Sequence, residues 1–305
     1  MIEARTAVVT GARGFLARNL IERLHADGWT VYGVSREAFR SDHAHILTWE
    51  SFWRGETLDP AAIQVLFHAA AFMPPNMEDP AYARACLESN ALLSLQLAEF
   101  MVAHGRARFI YFAAGNVYGY REAPADEQTP TQVHRRACFY LSSKLLGETF
   151  VERARVLQGL NAASFRISTP YGSWMSSRAT VSVFAERARR GEPLPLRHGG
   201  REQFDMIHVG DVVETLVRAA TSTAQGVFNL GTGCAITVKA IADAVNAAFS
   251  SAAGVCFVEP QDVPPQQGFA PLCTRHTIAT FGHCPLAFAS GLARYRSWLD
   301  AQPSS

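Results

Sequence analysis

The chain has 305 residues, 48% of them hydrophobic and 18% charged, with a formal net charge of +1. The length allows one large or two modest domains, the composition is globular, and the near-neutral balance offers no global attraction for nucleic acid or an acidic membrane. Six dispersed cysteines without a Cys-x-x-Cys spacing argue against a disulfide or metal framework and fit a reducing cytoplasm, and no apolar run approaches the roughly 20 residues of a membrane span.

The first strand begins near residue 6, which leaves no room for a signal peptide. Ala7-Val8-Val9-Thr10 reads as a buried strand, and Phe15, Leu16, Leu20, Ile21 and Leu24 recur behind it at helical spacing. A strand that turns through Gly11 and Gly14 into a helix presents bare N–H groups and a positive dipole end to a phosphate. Gly11 permits the tight turn, Gly14 lets a pyrophosphate approach, and Ala17 fills the third place of the dinucleotide fingerprint, which tolerates Ala. The helix is predicted to end at Asp27-Gly28, and Thr30–Val34 is the second strand. NAD-binding units place an acid there, about 20 residues past the first glycine. This chain has Ser35 and Arg36. A small hydroxyl and a guanidinium accept a 2′-phosphate that an acid repels, and Arg13 adds a second cation, so the reading favours NADP(H) over NAD(H).

His45–Thr48 is a third strand and Val65–His68 a fourth, with His68 read as a packed strand-end histidine. The fourth strand runs into Ala69-Ala70-Ala71, small residues that let a ligand approach the carboxyl end of a parallel sheet. After a proline-rich loop over 72–80 comes an amphipathic helix with Cys86, Asn90, Leu93, Leu97 and Met101 on one face, then a fifth strand, Phe109–Phe112. This alternation predicts an α/β fold with a doubly wound parallel sheet. Within Phe139–Glu148, Tyr140 and Lys144 lie four apart on one helix face. A free tyrosine, with a pKa of roughly 10, is a poor acid or base at neutral pH. An ammonium beside it stabilises the phenolate and lets it handle the proton that accompanies hydride transfer.

These pieces, taken with Val117-Tyr118-Gly119, Phe165-Arg166-Ile167, Thr169-Pro170-Tyr171-Gly172, Ile207-His208-Val209-Gly210-Asp211 and Asn229-Leu230-Gly231-Thr232-Gly233, resemble the extended short-chain dehydrogenase/reductase family of sugar epimerases, dehydratases and reductases. The resemblance implies a Rossmann domain (1–169 and 205–255) with a smaller substrate domain (170–204 and 256–303) and a homodimer through the helices at 86–104 and 139–157. It implies Tyr140 as proton donor and acceptor and Lys144 on the nicotinamide ribose, and it adds Phe15, Leu16, Asn90 and Thr169 to the cofactor set of Gly11, Arg13, Gly14, Ser35, Arg36, Ala69, Ala70 and Ala71.

Three departures shape the functional expectation. The family's usual Ser or Thr after the fifth strand is Ala114 here, and the Asp-Glu pair of dehydratases is Gly115-Asn116, which argues against elimination chemistry. The arginine that often grips a sugar-nucleotide diphosphate aligns with Phe204, and a second, near 264–268, meets Pro264-Pro265-Gln266-Gln267-Gly268. Substrate contacts are therefore expected from Ala114, Asn116, Tyr171, Arg197 and Arg201, with no metal, and the Pro/Gln stretch 259–271 is read as a lid or a connection. Arg166 is expected to form an internal ion pair. The leading expectation is an NADP(H)-dependent 4-keto nucleotide-sugar reductase. The alternatives are a nucleotide-sugar epimerase and, in another class, a dinucleotide-binding regulatory or assembly protein.

Overall fold

A computed structural model describes residues 5–105, 107–258 and 268–302. Most of the Pro/Gln stretch, including the expected second arginine place up to residue 267, lies outside the described residues, as do 303–305 of the tail. The first half of the chain alternates β1 (Thr6–Thr10), α1 (Phe15–Ala26), β2 (Thr30–Ser35), β3 (His45–Thr48), α2 (Trp49–Arg54), β4 (Val65–His68), α3 (Ala83–Cys86), α4 (Leu93–His104), β5 (Arg108–Ala114), α5 (Cys138–Gln158) and β6 (Ala162–Ile167). The second half adds β7 (Thr169–Tyr171), α6 (Thr180–Arg189), β8 (Leu194–Arg197), β9 (Gln203–His208), α7 (Val209–Ala220), β10 (Gly226–Leu230), β11 (Ala235–Thr237), α8 (Val238–Ala248), β12 (Val255–Val258), α9 (Arg275–Phe281) and α10 (Phe288–Asp300).

Seven strands form one sheet in the order β10-β6-β5-β4-β1-β2-β3, every pair parallel. Its central strands are apolar on both faces, as a parallel sheet covered by helices requires. Leu20, Leu24, Val212 and Leu216 cover one face from α1 and α7; Leu97, Met101 and Val151 cover the other from α4 and α5. The chain reverses its winding between β1 and β4, and a crevice opens there at the carboxyl ends. His68 ties that point together. Ser94 Oγ donates to Asn90 O at 2.5 Å, so it accepts from His68 Nε2–H (3.0 Å), and His68 Nδ1 accepts from the Thr10 hydroxyl (2.9 Å). Burial, aided by Lys144, holds this imidazole neutral. It is a packing residue, as the sequence predicts.

The helix predicted from residue 86 widens into a π-helical turn over Leu87–Leu92 before α4. α5 packs so closely there that a Cβ at Gly147 would sit 2.5 Å from Tyr111 Oη and 2.8 Å from Asn90 O. The smaller part of the molecule is built on β9, paired parallel to β7 and antiparallel to β11, and on the parallel pair β8–β12. Its apolar cluster joins Val181, Phe184 and Ala185 of α6, Ile241, Ala242 and Val245 of α8, and Leu292 and Tyr295 of α10. α8 falls inside the expected Rossmann segment 205–255, yet its buried face belongs to this second cluster.

Candidate active site

The crevice starts at the β1–α1 turn. Gly14 N donates to Gly11 O at 2.7 Å, and Gly11 takes a φ of +70°. A Cβ on Gly11 would lie 2.7 Å from Ala70 Cα, a backbone atom that cannot yield, so both the turn and the close approach of Ala69–Ala71 demand glycine. α1 has no side-chain cap and no acid in its first turn, which leaves its first N–H groups and dipole end facing the crevice. A cleft of about 490 Å³ follows. It brings together Gly11, Arg13, Gly14, Ser35, Arg36, Ala69, Ala70 and Ala71 from the expected cofactor set, and adds Glu37, Trp49, Phe72, Ser89 and Leu93. Phe15 and Leu16 turn instead toward the hydrophobic core beneath α1. This cradle, with backbone donors at one point and room for a base and ribose beyond it, fits a dinucleotide.

Two expected contacts look different in three dimensions. Glu37, two residues past Ser35, swings to the rim and pairs with Arg13 at 3.3 Å, so an acid does stand beside the cation that the 2′-phosphate argument invoked. Ser35 is buried and donates to Glu37 O, while Arg36 is exposed. The Asn90 amide closes on protein groups: it accepts from Phe72 N (2.6 Å) and donates to Phe72 O (3.0 Å) and Ser143 Oγ (2.9 Å). Asn90 thereby fixes the segment after β4 that walls the cleft.

Tyr140 and Lys144 stand on α5 past the carboxyl end of β5. The Tyr140 ring packs against a small apolar cluster of Val117, Tyr118, Ala125, Leu141, Ala270 and Leu272. Burial pushes its hydroxyl up to about 12. Lys144 is 3% exposed, with Nζ 4.4 Å from the centroid of the Tyr111 ring. Burial lowers its ammonium to about 7, opposed by the Glu148 carboxylate one turn on. Burial thus favours the neutral form of each group, a tyrosine that holds its proton and a lysine able to gain or lose one near neutrality.

Glu148 anchors this helix. Its carboxylate accepts from Arg166 Nη2 at 2.6 Å and from Nε at 3.0 and 3.2 Å, both side chains buried. Arg166 Nη1 donates to Tyr118 Oη at 2.6 Å, and Tyr118 Oη donates to Asn229 Oδ1 at 2.8 Å. The ion pair expected at Arg166 thus has a partner that sequence reasoning missed; the i,i+4 spacing of Lys144 and Glu148 on an otherwise apolar face was the available signal.

The substrate-side residues are less closely gathered. Ala114 ends β5 and packs against the same apolar cluster as Tyr140, and the Asn116 amide makes no side-chain hydrogen bond among the described residues. Thr169 opens β7, partly buried. Tyr171 is buried and donates its hydroxyl to Phe288 O at 3.1 Å, which makes it a strut to α10. Arg197 and Arg201 are exposed, Arg201 donating to His198 O at 3.2 Å. Phe204 faces Phe269 at 6.0 Å between centroids. Asp205, unremarked in the sequence, accepts from Thr232, Gly233 and Leu272 N–H groups and from the Thr232 hydroxyl, clamping the loop after β10. Among the described residues, no three His, Cys, Asp or Glu side chains are grouped to hold a metal, and no helix is long and apolar enough to cross a membrane.

The family model of the NAD dependent epimerase/dehydratase family matches residues 7–231. A UDP-glucose 4-epimerase of Mycolicibacterium smegmatis is 26% identical over 281 residues, 86% of each chain. The fold matches a UDP-glucose 4-epimerase of Thermotoga maritima, solved with UDP-glucose, with a TM-score of 0.85 at 20% identity over 97% of this chain and 98% of that one. It also matches a UDP-glucuronic acid 4-epimerase of Bacillus cereus, solved with UDP-glucuronic acid and NAD, with a TM-score of 0.82 at 17% identity over 97% and 99%.

Proposed function

This chain belongs to the NAD-dependent epimerase/dehydratase family, and on that premise we propose that it is a nucleotide-sugar 4-epimerase. The observation that carries the reading is the Tyr140–Lys144 pair, one helical turn apart beside the carboxyl end of β5. The relatives named above are 4-epimerases, which favours the epimerase alternative over the expected 4-keto reductase.

The Gly11–Gly14 turn would hold a nicotinamide dinucleotide by its phosphates, and that group would supply the hydride acceptor and donor. Tyr140 Oη, as the phenolate, would take the proton of the sugar hydroxyl while that carbon is oxidised. Tyr140 would return the proton to the same oxygen when the ketone is reduced on its opposite face. Hydride and proton both come back, so no cofactor is consumed. Because burial favours neutral Tyr140, its phenolate depends on positive charge, which Lys144, able to be an ammonium near pH 7, would supply. With Ala114 in place of a hydroxyl, the oxygen loses one hydrogen-bond donor of the kind worth roughly 2 to 4 kcal/mol in a transition state, and the free Asn116 amide is the nearest polar replacement along the chain. Dehydratase chemistry is disfavoured sterically: a Cβ at Gly115 would sit 2.8 Å from Ile167 O and from Leu272 Cδ1, leaving no room for an acid there.

The Arg13–Glu37 pair reduces the case for NADP(H), and Arg36 is the remaining support for it. A homodimer is supported by the exposed Leu87, Leu92 and Leu146 on the helices that sequence reasoning assigned to an interface. Incubation with UDP-glucose and UDP-glucuronic acid, followed by separation of the product sugars, tests the activity. The 4-epimer is expected with no change in nicotinamide absorbance. Stoichiometric consumption of NADPH with a 4-keto sugar nucleotide, and no epimer, would restore the reductase.

A further inference from the structure

We propose that Tyr111 is a positioning residue for the proton chemistry, its ring face holding the Lys144 side chain in place and in its ammonium form. The inference rests on the Tyr140–Lys144 chemistry of the proposed function. Tyr111 lies in β5, between His68 of β4 and Ser164 of β6. Lys144 Nζ stands over its ring, 4.4 Å from the centroid. A cation over the face of an aromatic ring is drawn to the negative pole of the quadrupole, most strongly where water is excluded. Both partners here are buried. The ring is fixed by the helix above it. Its hydroxyl donates to Lys144 O at 3.0 Å, and α5 comes down on it at Gly147, where a side chain would collide with Tyr111 Oη. One side chain of the sheet thus engages both the backbone and the ammonium of the lysine.

The other titratable groups around Lys144 are engaged elsewhere or uncharged. On its own helix, Glu148 favours the ammonium, but its carboxylate already accepts from Arg166 of β6 at 2.6 to 3.2 Å. His68 of β4 is neutral, and its two nitrogens are taken by Thr10 and Ser94. On the Tyr140 side, burial holds the Cys86 thiol of α3 protonated. Tyr111 itself is a neutral phenol, its hydroxyl pushed far up by burial. This neutrality suits the reaction. A second carboxylate beside Lys144 would stabilise the ammonium and repel the Tyr140 phenolate. An uncharged ring stabilises the ammonium and leaves the phenolate alone.

The chain has two lysines, Lys144 and Lys239. Isotopic labelling of lysine therefore gives two Cε signals in NMR, and the one missing from Lys144→Met belongs to Lys144. Its titration midpoint is read in the full chain with neither dinucleotide nor substrate present. Tyr111→Phe keeps the face and loses the hydroxyl; a ring-trifluorinated phenylalanine at the same position keeps the ring and withdraws charge from its face. The fluorinated ring is expected to lower the Lys144 midpoint by about one pH unit, the shift that corresponds to a desolvated cation–π contact, and Tyr111→Phe to leave it within about 0.3 of a unit. The alkaline limb of turnover is expected to move to lower pH with the midpoint. A midpoint unmoved or raised by the fluorinated ring overturns the proposal, as does Tyr111→Phe shifting it equally far. A turnover limb that stays in place while the midpoint falls removes Tyr111 from the chemistry. The activity reading fails separately, if the midpoint moves as expected and no nucleotide sugar is epimerised.

Discussion

The two ends of the crevice are made of different materials. At the β1–α1 turn the ligand-facing groups are backbone N–H donors held by Gly11, and the cations Arg13 and Arg36 stand in solvent. At α5 the working groups are side chains, one of them wholly withdrawn from water: Lys144 is 3% exposed and Tyr140 sits in an apolar cluster. Exposed charge is screened, so it costs little and contributes little. Buried charge is expensive, so its protonation is set by what surrounds it, and chemistry and stability become coupled there. The dinucleotide end should thus tolerate side-chain changes that the α5 end does not.

Tyr140→Phe is the harshest test of that contrast. Turnover should fall roughly a thousandfold, as expected for loss of an acid–base group, with dinucleotide affinity unchanged; initial rates and titration calorimetry measure the two. Retained turnover would remove Tyr140 from the mechanism. Next is Glu148→Gln, which leaves the buried Arg166 charge without its counter-ion. Denaturant unfolding should show a loss of about 3 kcal/mol, and a change under about 0.5 kcal/mol, the usual size for an uninvolved surface site, would mean that α5 does not depend on this pair.

Lys144→Met sharpens the comparison through pH. The folded state lowers the lysine from its ordinary value of 10.5 to about 7. Between those values the unfolded chain holds the extra proton, so wild-type stability rises with pH across that window, and the burial penalty is fully present below about 7. The methionine variant removes the penalty. Its Tm should exceed wild type by about 4 °C or more near pH 6.5, the gain shrinking toward pH 10, while turnover collapses. A pH-independent difference would refute a buried, titrating Lys144. The smallest effect is expected at the exposed end. Arg36→Ala should reduce NADPH affinity relative to NADH by less than about tenfold, the scale of a solvent-exposed charge contact. No change in the ratio would leave nothing of the 2′-phosphate reading.

Much of this arrangement was legible in the chain. The β1 turn, the run Ala69–Ala71 and the Tyr140–Lys144 spacing were readable because each is a local pattern, set by glycine conformations or by a helix repeat of a few residues. The assignment of Asn90 and Tyr171 to ligands was less informative. A polar side chain looks the same in sequence whether it faces a ligand or, as here, bonds to Phe72 or Phe288. Ser35-Arg36 was read without Glu37 because a strand end does not reveal which following side chain turns back to the rim.

The sequence by itself determined the doubly wound parallel fold, the glycine turn after β1 and the spacing that puts Tyr140 and Lys144 on one helix face, since short-range sterics and apolar periodicity specify them. Only the tertiary structure decided that Glu37 meets Arg13, that Glu148 holds Arg166, that α8 joins α6 and α10, and that Trp49 reaches the cleft. Those contacts depend on strand order and on how closely packed helices meet. Partners from about twenty to more than a hundred residues apart are brought together by burial of the whole core, and no local stretch encodes them.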